Sequence, residues 1–211
     1  MRLGGPVFGT YSDPGGWIAC IRKHGYRAVW PPKAEQTPEA LASYAEAARK
    51  HDIVIAEVGA WSNPLSADAD ERKQAVKKCE DCLALADAIG ARCCVNIAGS
   101  RGKKWDGPDP RNLDDDTFDL IVQGVRGIID AVKPKRTFYT LETMPWIFPD
   151  SADSYLRLIK AIDRKQFAAH YDPVNVVNSP ARYFRTGAMI REAFAKLGPY
   201  IKALPVGGDG W

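Results

Sequence analysis

No apolar run in the 211 residues approaches the roughly 20 needed to cross a bilayer, which excludes a helical membrane protein. The opening segment, MRLGGPVFGTYSDPGG, has no apolar signal core, so a cytoplasmic location is expected. Neither charge sign dominates. Lys+Arg number 29 against 26 Asp+Glu, a formal +3, and the basic residues are scattered along helical segments. That is no footprint for nucleic acid, so neither nucleic acid nor membrane is expected as a partner. Glycine-rich nucleotide loops are missing: there is no GxGxxG and no GKS/T. The five cysteines are an odd count without a secretory signal, which predicts reduced thiols. Cys79 and Cys82 form a CxxC inside a helical pattern, with no second Cys or His pair spaced to complete a zinc site. Disorder is excluded too, because 45% of the residues are hydrophobic.

What is present is an alternation of short apolar runs with longer amphipathic ones. The strand-like runs are 6–11, 26–30, 52–61, 91–99, 136–144, 167–174 and, weakly, 200–206. The helical patterns cover about 15–24, 38–50, 69–89, 114–133, 151–164 and 186–197. Thr37-Pro38 and Ser151 suit helix starts, the acids at 114–116 suit a first turn, and Gly90 suits a stop. Strict alternation means right-handed βαβ units and a parallel sheet. Polar residues gather just after the strands, in EVGAWSNP, NIAGS, LETMPW and HYDPVN, as the loops of a (β/α) barrel do. The expected fold is therefore α/β, a TIM-type parallel barrel of about seven strands and six helices, incomplete at its C-terminus. Residues 1–211 are read as one domain lacking the last βα unit, since Pro205 and the three glycines at 207–210 are poor strand material. Open edges of such a barrel would favour a homo-oligomer.

Strand parity selects the candidate site. Thr140 and Glu142 share a face, as do His170 and Asp172, Ile55 and Glu57, and Cys94 and Asn96. Glu57, Asn96, Glu142 and Asp172 stand at or near the C-terminal strand ends, which converge on one mouth. Carboxylates gathered there repel unless a cation or a shared proton compensates. Hard oxygen ligands suit Mg²⁺ or Mn²⁺, and Zn²⁺ or Co²⁺ if nitrogen joins. Glu57 is either a site residue or the partner of a nearby cation, and His170 either faces substrate or is a satisfied core imidazole. Trp61 and Trp146 follow strands and are placed to stack on a carbohydrate ring, with packing under loops as the alternative. Asn63, Asn96 and Asn175 are candidate hydroxyl binders.

The segments EVGAWSNP, GARCCVNIAGS, WDGP, TLETMPW, HYDPVN and LGPYIK resemble the xylose-isomerase-like barrels, in the sugar phosphate isomerase/epimerase branch. The likeness runs from about residue 3 to about 203. It implies one divalent metal held by four ligands, one from each of the last four strands, and two of these carry over: Glu142 and Asp172. It also implies that Glu142 acts as a proton-transfer base, paired in the family with an eighth-strand Glu. The chain departs from the pattern in three places. Ala203-Leu204-Pro205-Val206 stands where the family has His-Ala-Lys-Asp, the eighth-strand Glu is missing, and Phe148 replaces a second epimerase Glu. The expectation is thus a metal-dependent sugar or sugar phosphate isomerase or epimerase with a weakly bound Mn, Mg, Co or Zn. A catalytically degenerate barrel is the alternative. An AP-endonuclease-type enzyme, with a His-rich site, is disfavoured by a chain holding only His24, His51 and His170.

Overall fold

A computed structural model describes residues 2–33 and 37–205. The strands are β1 (Gly4–Gly5), β2 (Ala28–Val29), β3 (Val54–Ile55), β4 (Glu57–Gly59), β5 (Cys93–Asn96), β6 (Phe138–Glu142), β7 (Phe167–His170) and β8 (Ile201–Ala203). The helices are α1 (Pro14–Lys23), α2 (Pro38–Lys50), α3 (Ala69–Ile89), α4 (Asp115–Val132), α5 (Ala152–Ile162), α6 (Pro180–Tyr183) and α7 (Thr186–Leu197), with a 3₁₀ turn at Pro110–Leu113.

All pairings are parallel, in the orders β1-β2-β3 and β4-β5-β6-β7-β8. The two ladders are one surface. β3 and β4 are a single stave interrupted at Ala56, and Arg92 and Cys93 donate across that break to the carbonyls of Ile55 and Ala56. This gives seven staves wrapped by helices, an open parallel barrel. Among the described residues no ladder joins β8 to β1. No described helix is long and apolar enough to cross a membrane.

The local chemistry explains the elements. Thr37 caps α2 through the Ala40 amide, and Ser151 caps α5 with a reciprocal Ser154 capping box. On α4, Phe118, Ile121, Val122, Val125, Ile128 and Ile129 form the i, i+3, i+4 stripe that packs on the sheet. β5 and β7 are buried along their whole length, as strands covered by helices on one side and by the lumen on the other should be. Tyr155 of α5 is fully buried, and its hydroxyl accepts the amides of Leu141 and His170, both at 3.1 Å. It thereby fixes the outer side of the β6–β7 pair.

Four details differ from the sequence reading. The first strand is Gly4–Gly5 rather than 6–11, because the chain there must lie tight against β2. A Cβ on Gly4 would stand 2.0 Å from the Ala28 carbonyl oxygen, whereas Pro6 has no amide to give a ladder. The 52–61 run breaks at Ala56, and a short extra helix, α6, adds a seventh to the six expected. The 200–206 run shortens to β8, and residues 206–211 lie outside the described residues.

Candidate functional site at the barrel mouth

Register decides which side chains meet. Glu57 aligns with Cys93 and that with Phe138, while Val95 aligns with Thr140, Thr140 with Ala168, and Glu142 with His170. In-register parallel neighbours point the same way, so Glu57, Cys93, Thr140, Glu142 and His170 share the inner face. His170 Nε2 and Glu57 Oε2 are 2.8 Å apart across the lumen, which joins β7 to β4. His170 is 1% exposed, and its Nδ1 is buried without a hydrogen-bond partner among the described residues. Asp172 follows β7 and is held to the end of β6 by Thr143, whose hydroxyl donates to the Asp172 carbonyl at 3.0 Å and accepts its amide at 2.8 Å. Asp172 Oδ1 also accepts the Val174 amide and so shapes the turn.

Glu142 is the electrostatic centre of this group. Burial is the main force raising its carboxyl, which is pushed up to about 7. The His170 ring works against the rise, while Asp172 and Glu57 add to it. A carboxyl in that range exchanges protons readily near neutrality. The thiols are different. Burial lifts Cys79, Cys82, Cys93 and Cys94 above the ordinary thiol range, Cys93 to about 12, so none is a ready nucleophile or ligand.

The other candidates separate into two groups. Trp61 lies at the mouth over the β4 stave, since a Cβ on Gly59 would stand 2.4 Å from its Nε1. Trp146 is half-buried, and its Nε1 donates to the Asp106 carbonyl at 2.8 Å. Asn175, half-buried in the loop after β7, reaches the Met144 sulfur at 3.8 Å. Asn96 stands on the opposite side of the sheet from Glu142. Its amide accepts the Ser62 amide at 3.0 Å and donates to Cys79 of α3 at 3.3 Å, so it faces helix rather than lumen. Asn63 is buried and spent on the backbone. It donates to the Ser100 carbonyl and accepts the amides of Leu65 and Ser100. Gly99 makes that clasp possible, with φ at +103° and a would-be Cβ only 2.1 Å from Asn63 Oδ1.

Asp172 and Glu57 each push the Glu142 carboxyl upward, the kind of repulsion a cation relieves. Among the described residues, however, no group of three His, Cys, Asp or Glu is arranged to hold a metal ion. The described residues thus fall short of a closed metal centre. Two contributors carried no signal of their own in the sequence: Thr143, the clamp on Asp172, and Tyr155, the outer clamp on His170.

The family model described as Xylose isomerase-like TIM barrel matches residues 18–206. No curated protein matches the sequence. Several solved structures share the fold. A putative xylose isomerase from Rhodospirillum rubrum has a TM-score of 0.71 at 15% identity, covering 97% of this chain and 76% of that one. A D-psicose 3-epimerase with D-tagatose, from Clostridium cellulolyticum, has a TM-score of 0.66 at 17% identity, covering 99% and 87%. A probable 3-DHS dehydratase from Bacillus anthracis has a TM-score of 0.68 at 16% identity, covering 97% and 72%. At such identities the likeness establishes the fold.

Proposed function

Because the chain belongs to the xylose isomerase-like TIM barrel family, we propose that it acts on a small carbohydrate as an isomerase or epimerase, moving a proton on the carbon next to a carbonyl. The observation that carries this reading is Glu142, a carboxyl pushed up to about 7 on the inner face of the barrel, beside the Glu57–His170 pair. In this reading the ionised Glu142 takes the proton from carbon and, once protonated, returns it to the neighbouring carbon on the same face, whereas inversion at one carbon takes its proton from a second donor, water, on the opposite face. Glu57 holds the His170 ring in place, and Trp61 and Trp146 flank the sugar. Names such as D-psicose 3-epimerase and xylose isomerase among the structural relatives support the same substrate class.

A divalent cation, Mn²⁺, Mg²⁺, Co²⁺ or Zn²⁺, would sit on Glu142 and Asp172 and polarise the carbonyl when bound. Two protein ligands hold such an ion weakly, since even outer-shell losses cost 10–100-fold. Titration calorimetry with Mn²⁺ is expected to give a dissociation constant weaker than micromolar; sub-micromolar binding would contradict the ligand assignment. The same shortage of ligands favours a second reading, sugar binding without turnover. Incubation with a panel of aldoses and ketoses plus Mn²⁺, followed by NMR of the products, separates the two. Interconversion that is lost in Glu142→Gln supports the enzyme, whereas binding with no interconversion sinks it.

The edges of β1 and β8, which no ladder covers among the described residues, also support self-association. Light scattering on the 211-residue chain is expected to give a dimer or larger, and a monomer at high concentration would dismiss this.

A further inference from the structure

The β6–β7 ladder holds a side chain in its middle. The Tyr139 amide donates to the Gln166 carbonyl at 2.8 Å and the Thr143 amide to the His170 carbonyl at 3.3 Å, so both ends of the ladder are ordinary backbone bonds. Between them the register sets the Leu141 amide opposite the Ala168 carbonyl, and the His170 amide opposite the Leu141 carbonyl. The Tyr155 hydroxyl touches all four of these groups. It accepts both amides at 3.1 Å, and it stands 2.5 Å from the Leu141 carbonyl and 3.0 Å from that of Ala168. An oxygen that reaches all four lies between the two staves and joins them. Having one proton, it donates to one carbonyl at a time.

The surroundings hold this hydroxyl in place. Tyr155 is fully buried, and its ring stacks on Phe167 of β7 at 6.0 Å. Its helix, α5, starts at the Ser151 capping box. Burial raises the hydroxyl above the ordinary tyrosine range, with Glu142 among the smaller causes. Tyr155 therefore keeps its proton and carries none for a reaction, although Glu142 is within electrostatic reach. On the other side of the same ladder, Glu142 and His170 are register partners on the inner face. Leu141 immediately precedes Glu142, and His170 itself donates one of the four bonds. Without the oxygen, these buried backbone groups must find partners in each other, which requires the staves to shift. Such a shift turns Glu142 and His170 together, and His170 in turn meets Glu57.

We propose that Tyr155 is a positioning residue for the proton transfer: its hydroxyl, keyed between β6 and β7, sets how Glu142 and His170 are presented to the lumen. That role rests on the carbohydrate reading above, whereas the key itself does not.

The experiment compares Tyr155→Phe with Tyr139→Phe in the full chain. Tyr139 carries a second buried hydroxyl on β6, but its partners are Cys79 and Asn96 on the helix side. Each variant loses one oxygen atom, so a purely structural Tyr155 predicts similar losses from both. The first reading is deuterium uptake from D₂O into D-fructose and D-tagatose with Mn²⁺, resolved into kcat and KM. The second is the ring N–H that His170 turns to Glu57, followed by NMR on ¹⁵N-histidine protein. His24 is exposed and His51 half-buried, so a slowly exchanging ring proton belongs to His170. Tyr155→Phe is expected to lower kcat by about 10–100-fold and to leave KM within about threefold, as a misplaced reacting group does. Its His170 ring proton should exchange at least about tenfold faster, because the stave opens more readily. Tyr139→Phe should leave both readings at the wild-type level. Phe167→Leu keeps the hydroxyl but removes the ring it stacks on, and should move both readings the same way by less; it decides the matter if Tyr155→Phe does not fold. Unchanged kcat and ring-proton exchange in Tyr155→Phe, or equal losses in Tyr139→Phe, overturn the positioning role and leave the carbohydrate reading standing. Sugar that takes up no deuterium even with the wild type removes the carbohydrate reading, and the ring proton then decides alone. Faster exchange in Tyr155→Phe retains the key, and unchanged exchange overturns it.

Discussion

Replacing Glu142 by Gln is expected to stabilise the fold above neutral pH. The carboxyl moves from an ordinary value of 4.5 to about 7 on folding, chiefly because it is buried. Below about pH 4.5 both folded and unfolded chains carry the proton, and the group is neutral to stability. As pH rises from there to about 7, the unfolded chain ionises while the folded one resists, so stability falls. Above about 7 the loss is complete, and a displacement of that size corresponds to roughly 3 kcal/mol. Gln carries no such burden. Melting curves in metal-free buffer between pH 5 and 9 should therefore fall more steeply for the wild type than for the variant. Parallel curves would mean that Glu142 is not held protonated by its surroundings.

The same substitution is expected to cost about 10²–10⁴ in turnover, the usual contribution of a positioned acid–base group. A side chain that weakens the fold and yet supports the chemistry is what a functional site produces. A merely structural Glu142 would show the opposite, with Gln destabilising the fold and leaving turnover intact. Asn96→Ala offers a contrast, because its amide faces Ser62 and Cys79 on the helix side. It should lower stability with little effect on turnover.

Much of this architecture could be read from the chain. Thr37 and Ser151 stand where helix caps were expected, and the strand–helix alternation gives the parallel barrel. Parity also paired Glu142 with Thr140 and His170 with Asp172. It went wrong where period two is silent. Alternation says that Cys94 and Asn96 share a face but not which face is the lumen. Register against β4 settles that, aligning Cys93 rather than Cys94 with Glu57. The first strand was misplaced for a related reason. PVFGTY is apolar, but strand position is set by how closely backbones can approach, and Gly4 permits what a side chain would block. The Glu57–His170 pair, 113 residues apart in sequence, and the Tyr155 clamp arise only when the staves close round the lumen.

In the proposed reaction the Glu57, Glu142, His170 and Asp172 cluster moves a proton on a carbon beside a carbonyl. Its most direct test is the exchange of that hydrogen with solvent. Ketoses such as D-fructose and D-tagatose are incubated in D₂O with the wild-type chain and Mn²⁺, and deuterium at the carbons flanking the carbonyl is read by NMR. Deuterium entering with the wild type and failing to enter with Glu142→Gln is the predicted result. Sugar that binds, shown by calorimetry on the same samples, yet keeps all its carbon-bound hydrogen would contradict the account.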